Sequence, residues 1–258
     1  MTQKTQICAN LCFLRHLRSM DNSFQIPETN STNNLLNQLS GERDFPEGFI
    51  VYTDYQTAGR GQYGNSWESA RGENLLFSLL LYPKLVPINE AFLISQAVSI
   101  GIKRVLDTYV DNISIKWPND IFWNDRKIVG ILIENSLQGN AITKSIVGIG
   151  LNVNQMDFDT PNAVSLKQIT GKTFDPEKIL EQIREQIFHV YQNYAAEQIR
   201  NEYLQMLYRN SGYFSYSTQN EIFEAKITNV LPSGHLELED RAGEKRRFYF
   251  KEVRCLMC

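Results

Sequence analysis

A glycine-rich connection between two strand-like segments constrains this fold more than any other feature. Residues 49–53 and 74–82 are apolar runs typical of strands. The connection contains three glycines within six residues, Gly59, Gly61 and Gly64. Glycine lets the backbone adopt left-handed conformations and approach a ligand closely. A connection as long as residues 56–73 is usually functional or disordered.

Arg60 and Trp67 indicate what such a loop binds. Arg60 lies between two glycines, where its planar guanidinium can present paired N–H donors to a carboxylate or phosphate. Trp67 offers a flat surface on which an aromatic base can stack. The loop matches neither the P-loop nor the dinucleotide-binding pattern. It predicts an anionic, nucleotide-like ligand, with an ordinary surface turn as the alternative.

Length, charge and cysteine content exclude several classes of protein. With 258 residues, the chain can bury a substantial core. A net charge of −3 provides no basic excess for non-specific nucleic-acid binding, and no segment reaches transmembrane length. A chain of this size needs no disulfides, so we expect a cytoplasmic protein. The four cysteines lie near the termini, at Cys8, Cys12, Cys255 and Cys258, and we assign no metal site to protein side chains.

The pattern of apolar residues predicts three segments. Residues 1–23 are expected to form a poorly ordered leader, since their apolar run is too short for a membrane span or signal peptide. Residues 24–211 alternate strand and helix patterns, with helices beginning near Ser31, after an Asn89 cap and at Asp175-Pro176. Residues 212–258 carry short strands and turns typical of a small β-barrel.

Two further stretches stand out beside strands. Lys116-Trp117-Pro118-Asn119-Asp120 ends an alternating strand before a predicted hairpin. Residues 148–154, Gly-Ile-Gly-Leu-Asn-Val-Asn, place two glycines inside a strand, which weakens it unless something packs on the backbone there. A ligand lying against the main chain is one candidate for that packing partner.

Together these stretches resemble the biotin protein ligases. The glycine loop, the Lys116-to-Asp120 turn and the glycine-bearing strand occur in the order and approximate spacing of that family, and Ser31-Thr32-Asn33 and Gln56 match it as well. The resemblance extends over residues 24–258. It implies an α+β fold: a mixed sheet with helices in a class II synthetase-like, biotin/lipoate ligase catalytic domain, followed by a small SH3-like barrel.

The resemblance also implies an activity. Members of the family use ATP and Mg²⁺ to convert biotin to biotinyl-5′-AMP, then transfer the biotinyl group to one lysine of a biotin carboxyl carrier protein, as in acetyl-CoA carboxylase. Many dimerise through the catalytic sheet, so a homodimer is one assembly that the resemblance implies. Only about 23 residues precede the catalytic region, and we therefore expect neither a DNA-binding domain nor a nucleic-acid or membrane partner.

Site residues follow from the same resemblance, position by position. Arg60 and Lys116 are the expected catalytic cations, because they would offset repulsion between the biotin carboxylate and the α-phosphate. The expected biotin-binding set is Ser31, Thr32, Asn33, Gln56, Gly59, Arg60, Gly61, Gln62, Lys116, Gly148 and Gly150. The expected adenylate-binding set is Arg60, Gly64, Trp67, Lys116, Asn119 and Asn152.

The chain departs from the family where some members carry further arginines in the loop. Gln62, Tyr63 and Asn65 occupy those positions here, which leaves Arg60 as the loop's only cation before Arg71. Two other functions stay open from sequence: a lipoate or octanoyl ligase with the same fold, and a non-enzymatic regulator that senses biotin.

Overall fold

The computed structural model describes residues 22–84 and 86–256. Most of the predicted leader, together with Cys8, Cys12 and Cys258, lies outside the described residues. Cys255 is a free, partly buried cysteine. Within the described ranges, no helix is both long and apolar enough to cross a membrane.

A seven-stranded mixed sheet forms the centre of the catalytic region. Its spatial order is β1-β2-β3-β7-β6-β5-β4. The first two strands pair in parallel, and the other pairs are antiparallel. The strands are β1 (Ser23–Ile26), β2 (Ile50–Thr53), β3 (Leu75–Leu81), β4 (Ile113–Lys116), β5 (Asp120–Trp123), β6 (Arg126–Gln138) and β7 (Ala141–Leu151).

Helices cover both faces of this sheet. They are α1 (Thr32–Glu42), α2 (Phe92–Leu106), α3 (Leu166–Thr170), α4 (Pro176–Asn193) and α5 (Ala196–Gln205). Leu36 and Leu39 of α1 form one core with Leu80 of β3. The larger core joins α2 and α4 to the sheet and includes Leu79. Successive residues of a strand face opposite sides of the sheet. Since helices cover both sides, β3 is buried along its entire length.

The predicted helix starts differ in their outcome. Asp175 caps α4 as predicted, since its side chain accepts a hydrogen bond from the Glu177 backbone N–H at 3.0 Å. The Asn89 cap is wrong: Asn89 lies in a short 3₁₀ turn, and α2 begins only at Phe92, without a side-chain cap. Burial of the apolar stripe therefore sets where α2 packs, whatever precedes it.

The C-terminal region is a five-stranded antiparallel sheet with the order β11-β10-β9-β8-β12. Its strands are β8 (Phe214–Ser217), β9 (Ile222–Val230), β10 (Leu236–Asp240), β11 (Lys245–Phe248) and β12 (Arg254–Cys255). The predicted β structure is confirmed, but a closed barrel is not, because β11 and β12 are opposite edges with no ladder between them in the described chain. Within the described residues, the two-residue strand β12 has a ladder with β8 alone.

The turn of residues 117–119 joins the two sheets. The Trp117 indole Nε1 donates to the Gly234 carbonyl at 2.9 Å, which ties the turn to the C-terminal sheet. The buried Tyr203 hydroxyl of α5 donates to the Pro118 carbonyl at 2.6 Å. The 117–119 turn is therefore fixed from both sides by hydrogen bonds.

Candidate functional site

A cavity of about 110 Å³ lies where the glycine loop covers the start of α1 and the middle of β6 and β7. It is lined by Ser31, Thr32, Asn33, Gln56, Arg60, Gly61, Gln62, Asn65, Ser66, Trp67, Asp120, Lys127, Gly130, Ile131, Leu132, Gly148, Ile149, Gly150 and Phe250. Ten of the predicted site residues meet here. Phe250, between β11 and β12, shows that the C-terminal region also reaches this cavity.

One end of the cavity is a buried hydrogen-bond network. The Gln56 side-chain oxygen accepts from the Thr32 backbone N–H at 2.8 Å and lies 3.2 Å from the Thr32 hydroxyl. The Ser78 hydroxyl lies 2.7 Å from Thr32 Oγ1 and 2.6 Å from Asn33 Oδ1. Ser31 occupies the N-cap position of α1, yet its side chain makes no capping hydrogen bond. These hydroxyl and amide groups suit a small polar ligand group.

The strand glycines make room for side chains of the protein. A Cβ on Gly148 would lie 2.4 Å from Asn33 Oδ1, and one on Gly150 would lie 2.4 Å from Trp67 Cε2. Gly130, opposite Gly150 on β6, would place a Cβ 2.5 Å from Trp67 Cζ3. The ligand expected against this backbone is therefore replaced, in this conformation, by Asn33 and the Trp67 indole.

The glycine loop is a compact fold rather than an open span. The Trp67 N–H donates to the Gly59 carbonyl at 3.0 Å, and the Gly61 N–H donates to the Asn65 carbonyl at 2.7 Å. A Cβ on Gly59 would lie 2.7 Å from the Trp67 carbonyl oxygen. Gly64 has φ +81°, so it serves the turn itself and does not line the cavity.

Two cations face the cavity, and each is paired with a carboxylate. Arg60 Nη2 lies 2.7 Å from Glu134 Oε2, and Lys127 Nζ lies 2.7 Å from Asp120 Oδ1. The Lys127 ammonium is also 5.7 Å from the centre of the Trp67 ring. Sequence reasoning identified Arg60 and missed Lys127. An anionic ligand at this end would meet positive groups already held in position.

Lys116, predicted as a catalytic and ligand-binding cation, does not line this cavity. Its side chain borders a separate cavity of about 360 Å³ against the C-terminal sheet, where Tyr216 and Cys255 also lie. The Lys116 ammonium is 4.6 Å from the centre of the Phe122 ring. Burial lowers the pKa of Lys116, and the charge of Asp120 partly opposes that shift. Membership of the 116–120 motif suggested a ligand contact, but the lysine points towards the junction of the two sheets.

Asn119 and Asn152 also lie outside the lining of the cavity. Asn119 accepts a hydrogen bond from Gln62 Nε2 at 3.0 Å, so it connects the glycine loop to the 117–119 turn. Asn152 is the first residue after β7 and donates from Nδ2 to the Val164 carbonyl at 3.1 Å. Its Oδ1 and the Trp67 Nε1 are both buried without a hydrogen-bond partner in the described chain.

Four residues found here carry weak sequence signals. Lys127 and Gly130 open the β6 strand, and a glycine inside a strand pattern was the only available clue. Ser78 lies in an otherwise apolar run and Glu134 near the end of the predicted hairpin strand, and neither position marks a site in sequence. Among the described residues, no group of three or more His, Cys, Asp or Glu side chains is arranged to hold a metal ion.

Solved structures define the class of fold. A biotin protein ligase from Aquifex aeolicus, in complex with biotin and ATP, aligns with a TM-score of 0.73 and 24% identity, covering 92% of this chain and 100% of that chain. A biotin protein ligase from Leishmania major, in complex with biotinyl-5-AMP, aligns with a TM-score of 0.61 and 20% identity, covering 88% and 98%. The fold is therefore that of the biotin ligase catalytic unit.

Sequence comparison gives the family. Residues 25–152 match the model of the Biotin/lipoate A/B protein ligase family, so the chain carries a domain of this family. The bifunctional ligase/repressor BirA of Bacillus subtilis is 32% identical over 213 residues, which cover 78% of this chain and 64% of that protein. A biotin--[acetyl-CoA-carboxylase] ligase of Mycobacterium tuberculosis is 29% identical over 167 residues, covering 61% and 59%.

Proposed function

We propose that this protein is an ATP-dependent biotin ligase. It activates biotin to biotinyl-5′-AMP and transfers the biotinyl group to a lysine of a biotin carboxyl carrier protein, that of acetyl-CoA carboxylase or a related carboxylase. One observation carries the proposal: a single cavity combines a network of neutral polar groups with two positioned cations, on the fold of proteins solved with biotin and ATP.

The neutral end of the cavity suits the biotin head group. A cyclic urea presents one carbonyl acceptor and two N–H donors, and Ser31, Thr32, Asn33 and Gln56 supply matching hydroxyl and amide groups. Hydrogen bonds from Thr32 to Gln56, and from Ser78 to Thr32 and Asn33, hold three of these groups in place before a ligand arrives. Preorganised polar groups lose less entropy on binding than free ones.

The charged end suits the reacting anions. In the first step, a biotin carboxylate oxygen forms a bond to the α-phosphorus while the bond from that phosphorus to the pyrophosphate oxygen breaks. Two negative groups must approach within a few Å, and Lys127 and Arg60 would lower the cost of that approach. The lysine amine of the carrier then attacks the biotinyl carbonyl, AMP leaves, and the amine loses a proton.

Two unpaired polar atoms support a nucleotide in the same site. The buried Trp67 Nε1 is a donor and the buried Asn152 Oδ1 an acceptor, and neither has a partner among the described residues. An adenine edge carries both an amine donor and ring-nitrogen acceptors, so it complements this pair. The Trp67 indole also supplies a stacking surface.

The cavity must widen to hold such a ligand. Ligand sites typically enclose about 300–1,000 Å³, whereas this cavity encloses about 110 Å³. The Trp67 indole, which lines the cavity, packs directly on Gly130 and Gly150. We therefore propose that the glycine loop moves when biotin and ATP bind, and then closes over the adenylate to exclude water.

Mg²⁺ would enter as part of the ATP complex and reduce charge on the phosphates. The described residues form no cluster of three or more metal-ligating side chains. We therefore assign the ion no protein ligands and derive no step through it.

We further assign residues 24–211 to a catalytic domain and residues 212–258 to a C-terminal domain. The division into two separate sheets supports this boundary. A homodimer through the catalytic sheet and a cytoplasmic location are consistent with the proposed activity, and both are testable on the purified protein and by fractionation.

Lipoate ligation is the second candidate, because the family includes lipoate ligases. A decisive test supplies purified protein with ATP, Mg²⁺ and either biotin or lipoate, and measures pyrophosphate release and acylation of a carrier domain. We expect release and labelling with biotin. Activity with lipoate alone would overturn the proposal, and tight binding to DNA without either activity would favour a biotin-sensing regulator.

A further inference from the structure

Glu134 lies beside the candidate site without lining its cavity, yet it touches two elements that do. Its Oε2 accepts from Arg60 Nη2 at 2.7 Å and from Asn33 Nδ2 at 2.8 Å. Arg60 belongs to the glycine loop, and Asn33 belongs to the first turn of α1. One carboxylate oxygen therefore connects the charged end of the cavity to its neutral end.

Asn33 is a rigid anchor in this arrangement. Its side chain is almost completely buried, with 2% of the residue exposed. Its Oδ1 lies 2.6 Å from the Ser78 hydroxyl, and the missing Cβ of Gly148 leaves just enough space for its amide. Asn33 therefore cannot shift without breaking buried hydrogen bonds, which is costly.

Arg60 is the adjustable partner. Its side chain is 40% exposed, and Glu134 is the only side chain among the described residues to which its guanidinium is hydrogen-bonded. A guanidinium has five N–H donors in a planar fork. Glu134 engages one nitrogen and leaves the remaining donors able to meet an anion in the cavity that Arg60 lines.

We infer that Glu134 is a positioning residue, which ties Arg60 of the glycine loop to the fixed Asn33 amide and so orients the guanidinium for the anionic part of the substrate. A half-exposed ion pair alone stabilises a fold only slightly. This pair has a further role, because Glu134 Oε2 also accepts from Asn33. The position of buried Asn33 therefore fixes where Arg60 of the exposed glycine loop lies. The inference rests on the proposed function for its substrate and on ligand-free geometry for its contacts.

The test begins with Glu134→Gln, which keeps the side-chain size and an oxygen able to accept from Asn33 but removes the charge that holds Arg60. Hydrogen–deuterium exchange of the peptide 57–66 is measured on the ligand-free full chain. We expect about threefold faster exchange, the scale set by losing one half-exposed ion pair. Glu224→Gln is the matched control, since it breaks a comparable exposed pair with Arg241 in the C-terminal sheet.

A double variant separates positioning from general loosening. Arg60→Ala should raise exchange to the same extent, and adding Glu134→Gln to it should change exchange less than about 1.5-fold, since both act through one contact. Exchange in Glu134→Gln equal to wild type, or full additivity in the double variant, would overturn the inference.

Kinetics provides the second readout. With biotin as the varied substrate, we expect Glu134→Gln to raise KM for biotin about fivefold, with kcat within about twofold, because the lost element preorganises binding. A fall in kcat with unchanged KM would also contradict the role. If the wild-type protein releases no pyrophosphate with biotin, the proposed function fails, while the exchange measurements still decide the role of Glu134.

Discussion

The cavity wall and the 117–119 turn are neighbours that use polar groups in different ways. In the turn, the Trp117 indole and the Pro118 carbonyl are both engaged with other parts of the protein. Beside the cavity, the buried Trp67 Nε1 and Asn152 Oδ1 have no partner within the described chain. Buried polar groups that are hydrogen-bonded within the protein stabilise the fold. A buried polar group without a partner needs an explanation, and a bound ligand is one. On the proposed function, the engaged groups of the turn position the site, and the unpaired groups beside the cavity are the ones expected to contact substrate.

Lys127 should show the largest effect on the cavity side. Lys127→Ala removes a cation held 2.7 Å from Asp120, and loss of a positioned electrostatic group typically slows a reaction by about 100-fold to 1,000-fold. We expect pyrophosphate release with biotin and ATP to fall on that scale while circular dichroism stays unchanged. The control is Lys172→Ala, on the exposed turn before α4. A Lys127→Ala rate within tenfold of wild type would contradict a role for Lys127 in the reaction.

Gly150 tests whether the strand glycines serve Trp67. In Gly150→Ala the new methyl would collide with the indole, since the Cβ position lies 2.4 Å from Trp67 Cε2. Overpacking of this kind lowers the free energy of unfolding by about 1–3 kcal/mol, and a displaced indole should shift tryptophan fluorescence to longer wavelength.

Gly41→Ala is the matched control for that substitution. Gly41 lies near the end of α1 with nothing within 4 Å of its Cβ position, so alanine there should raise stability by about 0.5 kcal/mol. Urea titration measures both changes. Equal effects of the two substitutions would mean that Trp67 does not need the space at Gly150.

Tyr203 tests the turn side of the comparison. Tyr203→Phe removes a hydroxyl that is fully buried and donates to the Pro118 carbonyl, and a lost bond of this kind costs about 1 kcal/mol. We expect urea titration to show that loss while KM for biotin stays within about twofold. A large rise in KM at unchanged stability would instead connect the turn directly to substrate.

Periodic apolar patterns made much of the fold predictable. The Asp175-Pro176 start of α4 follows from capping chemistry, and the strands flanking the glycine loop follow from their apolar runs. The 3₁₀ turn at Asn89 did not, because tertiary packing of the α2 stripe overrides a local capping preference. Whether the C-terminal sheet closes into a barrel was not predictable either. Closure requires pairing between strands that are far apart in sequence, and short strands do not specify that pairing.

Residues that line the cavity were predictable where a residue type itself suggests the chemistry, as with Arg60 and Trp67. They were not predictable where side-chain direction decides. Lys116 and Lys127 are eleven positions apart and both adjoin Asp120. Asp120 lines both the candidate-site cavity and the separate cavity that Lys116 borders. Sequence spacing does not indicate which lysine faces which cavity. A β-bulge between Ile121 and Phe122 also shifts the strand register between the two lysines.

Lys116→Met should produce the smallest effect, and it separates the two lysines. The side chain does not line the candidate-site cavity, so we expect pyrophosphate release within about threefold of wild type. Burial lowers the pKa of Lys116 from its ordinary value of 10.5. Between the folded-state pKa and 10.5, the unfolded chain binds more protons than the folded chain, so this group makes wild-type stability rise with pH through that window. Lys116→Met lacks that rise and should be equal to or slightly more stable than wild type at pH 7, with any advantage disappearing above pH 10.5. Urea titrations across this pH range measure the difference in the free energy of unfolding. A tenfold or greater loss of activity at unchanged stability would instead show that Lys116 takes part in the reaction.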